Sequence, residues 1–178
     1  MGRVGVMYPF ISSVEEVKQA NTLLDEAKSE LIAREIDFDE DIQVGAMIEI
    51  PSAVVMADAI AAEVNFLSIG TNDLVQYTLA VDRINERVAD SYQAAHPAVI
   101  RLMKQTVDAA HRNDIWAGVC GEVAGDLRLA PLMVGMEVDE LSVGINQVLR
   151  VRRAISRLDT GVCGKLVDEV LQCSETAE

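Results

Sequence analysis

At 178 residues the chain has the length of one domain, and with 50% hydrophobic residues it can bury a substantial core. A single unit over 1–178 is expected, with 158–178 as a C-terminal tail or helix. Lys+Arg of 15 against Asp+Glu of 29 gives a formal net charge of −14, which repels phosphate backbones and anionic lipid surfaces and argues against nucleic acid or a membrane as partner. The acidity is no metal signal in itself, because most of it falls on helix faces and in the 37–41 loop, where water solvates it.

The first strand is expected at Val4–Tyr8. Ser13 and Glu16 then stand in capping-box spacing and open a helix whose apolar side carries Val14, Val17, Leu24, Ala27 and Leu31, ending near Ile36. A second strand, Ile42–Ile50, leads to Pro51 and a helix over Ala53–Glu63. A third, Val64–Ile69, leads to a helix beginning around Asp73. A helix follows Pro97, a favourable first-turn position. Strands Ile115–Val119 and Val138–Val143 come next, with helices over Asp126–Met136 and Asn146–Arg157 and a short one beyond Gly164 containing Leu166, Val170 and Leu171.

Short β-branched runs alternating with helical stretches are the pattern of βα units around a parallel sheet, and the near-continuous hydrophobicity of the runs predicts strands covered on both faces. Five units are too few for a closed eight-stranded barrel, which takes about 250 residues. The expected fold class is therefore α/β, with an open parallel sheet or a piece of a barrel. The N-terminus does not read as a basic-then-apolar leader, and no apolar run approaches the roughly 20 residues of a membrane span. Cys120, Cys163 and Cys173 cannot all pair within one chain and form no C-x-x-C, so a reducing, cytoplasmic setting is expected.

In parallel α/β folds reactive groups gather where strands end. Three ends here are chemically loaded: Met47-Ile-Glu-Ile-Pro51, Ser68-Ile-Gly-Thr-Asn-Asp-Leu74 and Gly118-Val-Cys-Gly-Glu122. Glu49 inside an apolar strand requires a cation, an arginine or several donors. With Asp73 at the next strand end, a cation between the two carboxylates becomes the stronger reading, and Mg²⁺ suits one or two carboxylates completed by water and substrate oxygens. Cys120 is either a small buried hydrophobe or a thiol facing the same mouth. Arg83 can fork onto phosphate or carboxylate oxygens or pair with Asp82 or a nearby helix; Asn72 can donate to a substrate oxygen, cap the following helix, or do both.

Together these segments resemble the phosphoenolpyruvate-utilising enzymes, and Ser68-Ile-Gly-Thr-Asn-Asp-Leu-Val-Gln-Tyr-Thr-Leu-Ala-Val-Asp-Arg83 is similar to the wording of enzyme I, the phosphoenolpyruvate-protein phosphotransferase family of the bacterial sugar phosphotransferase system. The likeness extends through Met7-Tyr-Pro9, His96-Pro-Ala-Val99, Cys120-Gly-Glu-Val-Ala-Gly-Asp126 and Asp139-Glu-Leu-Ser142, reaching about residue 157. Pyruvate phosphate dikinase and phosphoenolpyruvate synthase share the Gly-Thr-Asn-Asp core but usually differ over Tyr77–Arg83. The resemblance implies a partial TIM barrel, strands 4 to 8 of the eight. It implies Glu49 and Asp73 as Mg²⁺ ligands, Asn72 and Arg83 as holders of the substrate phosphate and carboxylate, and Cys120 as the acid that protonates the enolate carbon. It further implies phosphoenolpyruvate and pyruvate as substrate and product, a histidine-bearing phosphocarrier domain or protein as acceptor, and a homo-oligomer. His96 and His111 do not stand in the acceptor histidine's motif. Arg3 falls near another basic family position. The alternative is a non-catalytic fragment that binds ligand or serves in assembly, or a piece of an enzyme like pyruvate phosphate dikinase or phosphoenolpyruvate synthase.

Overall fold

The computed structural model describes residues 4–175, so Arg3 lies outside the described residues. Where β-branched and aromatic residues alternate with glycine, the chain extends: β1 (Gly5–Tyr8), β2 (Gln43–Ile48), β3 (Phe66–Gly70), β4 (Trp116–Cys120) and the short β5 (Glu140–Leu141). All pair in parallel in the order β1-β2-β3-β4-β5, an open sheet in chain order.

The helices obey their caps. The box between Ser13 and Glu16 forms as expected and opens α1 (Val14–Ala33). After Pro51 the expected single helix is split into α2 (Pro51–Val55) and α3 (Ala57–Ala61). Val54 and Val55 are poor helix formers, and Gln105 Nε2 donates to the Val54 carbonyl at 3.2 Å beside the break. Then come α4 (Thr71–Leu79) and α5 (Pro97–Arg112), the latter capped by His96, whose Nδ1 accepts from the Ala98 N–H at 3.1 Å.

The helix expected over Asp126–Met136 is also divided, into α6 (Glu122–Gly125) and α7 (Ala130–Gly135). Asp126 closes a turn by accepting the Arg128 N–H at 2.9 Å, and Pro131 sets the first turn of α7. The chain ends in α8 (Val148–Ile155) and α9 (Thr160–Gln172). The last starts before Gly164, contrary to the glycine-based expectation, because Asp159 caps it through the Val162 N–H at 2.9 Å.

The two faces of the sheet differ, so the expected cover on both faces holds at β3, whose five residues are all buried, and fails at the edge strand β1. Ala46, Ile48, Leu67, Ile69, Ala117 and Val119 join the helices in one hydrophobic core. The residues between them, including Phe66, Ser68, Trp116, Cys120 and Glu140, line a cavity of about 700 Å³ on the other face, where Phe66 and Trp116 stack at 4.3 Å. Period-two alternation is thus hidden inside runs that read as continuously apolar.

Candidate active site

Register brings the strand ends level: Ile48 stands beside Ile69, and Gly70 beside Cys120. Glu49 follows β2, Asp73 lies in the first turn of α4, and Cys120 is the last residue of β4. Glu49 is only 3% exposed, yet its Oε1 accepts the Phe10 N–H at 2.8 Å, and the negative Asp73 is near enough to act on its carboxyl. Burial pushes the Glu49 carboxyl above the usual range; the Phe10 N–H opposes that, and the charge of Asp73 adds to it. Gly70 leaves the room: a Cβ there would stand 2.5 Å from Glu49 Oε2.

The Cys120 thiol reaches the Ile69 carbonyl at 3.4 Å and borders the sheet cavity. Its acidity is weakened, first by burial and then by the negative Glu49 and Asp73, with Ser68 acting the other way. A thiol whose pKa is raised from an already alkaline value carries its proton at neutral pH. The structure therefore brings Glu49, Asp73 and Cys120 to one rim.

Asn72 caps a different helix from the one expected. Its Oδ1 accepts the Glu122 N–H, the first of α6, at 3.0 Å, while Gly70 occupies the N-cap of α4. Gly121, at φ 86, takes the turn between Cys120 and Glu122 that a side chain would strain, and a Cβ there would strike Thr71 Oγ1 at 2.5 Å. Arg83 pairs with Glu122 at 3.7 Å rather than with Asp82, whose Oδ1 instead accepts the Ile84 N–H at 2.9 Å.

Sequence reasoning placed Ser68 and Glu122 in the loaded strand ends without giving either a role, and it missed Phe10 and Tyr92 as members of this rim. The Tyr92 hydroxyl donates to the Asn72 carbonyl at 3.4 Å; burial, Glu122 and Asp73 raise its pKa and Arg83 lowers it, so it sits among the same charges. Capping-motif logic finds none of them, since Tyr92 lies in a loop without periodicity. On α5 the His111 ring is half-buried and bonds Asp139 at 2.9 Å, and Asp139 also takes the Ala117 N–H.

Among the described residues no group of three or more His, Cys, Asp or Glu is arranged for a metal. The donor set that does exist, two carboxylates at one rim with one of them buried, fits a hard oxygen-seeking ion completed by water and substrate.

The family model for the PEP-binding domain of PEP-utilising enzymes matches residues 1–160. The chain belongs to that family. This PEP-binding domain is 47% identical to the phosphoenolpyruvate-protein phosphotransferase of Latilactobacillus sakei, 45% to that of Listeria monocytogenes and 44% to that of Enterococcus faecalis, each over 99% of the chain. It spans 31% of the length of those relatives. Among solved structures, it resembles a citrate lyase from Burkholderia xenovorans (TM-score 0.63, 17% identity, 93% of this chain and 53% of that one). It also resembles an HpcH/HpaI aldolase from Desulfitobacterium hafniense (TM-score 0.53, 18% identity, 98% and 66%). At those identities the likeness establishes the TIM-barrel-like fold. Among the described residues no helix is long and apolar enough to cross a membrane.

Proposed function

We propose that this PEP-binding domain is the C-terminal part of the barrel of a phosphoenolpyruvate-protein phosphotransferase, whose parent moves phosphate from phosphoenolpyruvate to a histidine on a phosphocarrier domain or protein and releases pyruvate. The observation that carries the reading is the convergence of the Cys120 thiol, Glu49 and Asp73 on one rim of the sheet. Glu49 and Asp73 would hold Mg²⁺, which when bound neutralises charge on the phosphoryl oxygens. Arg83 exchanges Glu122 for the anionic substrate, and Asn72, fixed through its Oδ1, offers its amide to a substrate oxygen. As the phosphoryl group leaves, the enolate carbon accumulates charge; the Cys120 S–H bond breaks and a C–H bond forms, giving pyruvate. The setting is cytoplasmic, and the chain folds as one unit that assembles with another copy.

In a full-length parent, Cys120→Ala is expected to cut pyruvate formation by about 10²-fold or more while Mg²⁺ binding is retained. Equal loss of both would remove the proton-donor role. A second reading, a ligand-binding or assembly module without turnover, is favoured by the open sheet, whose edges β1 and β5 have no further strand among the described residues. Calorimetry of this chain with Mg²⁺ and phosphoenolpyruvate separates the two: heat from both ligands marks a working half-site, and none marks a scaffold.

A further inference from the structure

Among the described residues, five other than glycine adopt positive φ: Phe10, Glu35, Ala80, Asp114 and Glu137. Four of them sit just past the ends of α1, α4, α5 and α7, where left-handed residues commonly close a helix. Phe10, at φ 53, follows a strand instead, and a bulky aromatic residue holds that conformation only where its surroundings impose it.

Core packing does not explain the strain, because the Phe10 side chain is 53% exposed. Two contacts do. Its N–H donates to Glu49 Oε1 at 2.8 Å, and its ring meets Tyr77 edge-on, centroids 6.5 Å apart and planes at 69°. Tyr77 lies four residues beyond Asp73 on α4, one turn along the same face. The loop is pinned on its far side as well: Ile11 is buried in the core, and Ser52 Oγ donates to the Ser12 carbonyl at 3.0 Å, three residues beyond Glu49. One residue thus ties the Glu49 carboxylate to the helix that carries Asp73.

We propose that Phe10 is a positioning residue: its ring, braced on Tyr77, holds the left-handed turn that aims its N–H at Glu49 and sets the spacing of the two carboxylates. The consequence for metal binding rests on Glu49 and Asp73 as the Mg²⁺ ligands. An outer partner that orients a ligating carboxylate typically changes metal affinity at least tenfold when lost.

The test combines two readouts on the whole chain. In metal-free protein, the residue-10 amide resonance is expected downfield and to move on Glu49→Gln. Phe10→Ala and Tyr77→Ala are each expected to shift that amide upfield and to weaken Mg²⁺ binding about tenfold by calorimetry. The double variant should be no weaker than either single one. Phe10→Gly should recover most of the affinity, since glycine adopts this φ without strain. An unchanged amide and affinity in Phe10→Ala would overturn the proposal, and so would a glycine variant as weak as the alanine one. If the unaltered protein binds no Mg²⁺, the metal reading falls and the amide readout decides positioning alone: a shift in the alanine variants supports it, and no shift overturns it.

Discussion

Arg83 and Glu122 form a pair in which each side chain remains partly open to water, 36% and 74% exposed, so the attraction between them is weak and easily exchanged. Such a pair keeps the guanidinium near the rim and free to exchange Glu122 for another anion. Replacing Glu122 with Gln frees Arg83 and leaves the Glu122 backbone N–H on Asn72 intact. Phosphoenolpyruvate binding is then expected to tighten about two- to fivefold by calorimetry, the scale of an exposed ion pair; weaker binding would mean that Glu122 serves the ligand directly. At this scale the sequence was informative where a side chain's chemistry conflicts with its neighbours. A carboxylate in an apolar strand marked Glu49, and a second acidic strand end marked Asp73. It was silent where the partner is a backbone N–H, as at Phe10, or comes from an aperiodic loop, as with Tyr92.

Elements are held in place by close approaches and caps. Gly135 ends α7 against α9, and a Cβ there would come within 2.2 Å of the Cys163 carbonyl oxygen, a backbone atom that cannot swing away. Gly135→Ala is therefore expected to cost about 1–3 kcal/mol in chemical denaturation by forcing α9 off α7. Asp58 of α3 grips Arg112 of α5 through two bonds, at 2.9 and 2.8 Å, and the guanidinium holds the Asp58 carboxyl below its ordinary range. A carboxyl with a lowered folded pKa stabilises above its unfolded pKa of roughly 4 and loses that contribution as pH falls through the folded value. Asp58→Asn should lower Tm at neutral pH, and the gap from the unaltered protein should close on acidification below about pH 4. Strands, their order of appearance and the capping box of α1 were legible because they rest on local pattern. The splits at Met56 and after Gly125, and the early start of α9, were not. They depend on Gln105 reaching the Val54 carbonyl, on Asp126 turning the chain and on Asp159 capping ahead of two glycines.

The molecule as a whole is an open sheet with helices on one side and a cavity on the other, and its edges bear on whether it associates. Parallel strands satisfy their backbone groups only with neighbours on both sides, and an uncovered edge recruits another chain. Val4, just before β1, and Met7, within it, are 64% and 37% exposed, so that edge strand offers apolar side chains as well as unpaired backbone. Against this stands a net charge of −14, which makes two copies repel at low ionic strength. The two effects respond oppositely to salt: screening shortens the reach of the repulsion to about 8 Å at physiological ionic strength while leaving strand pairing and apolar burial in place. Association should therefore increase as salt is raised, which sedimentation velocity across a salt series measures directly. Val4→Lys, a charge set on the edge, should return the chain to monomer at the same salt without altering Mg²⁺ binding, because Val4 stands at the opposite end of β1 from the Glu49 rim. A monomer at every salt and protein concentration would show that the edges of this sheet are closed by its own side chains rather than by a second chain.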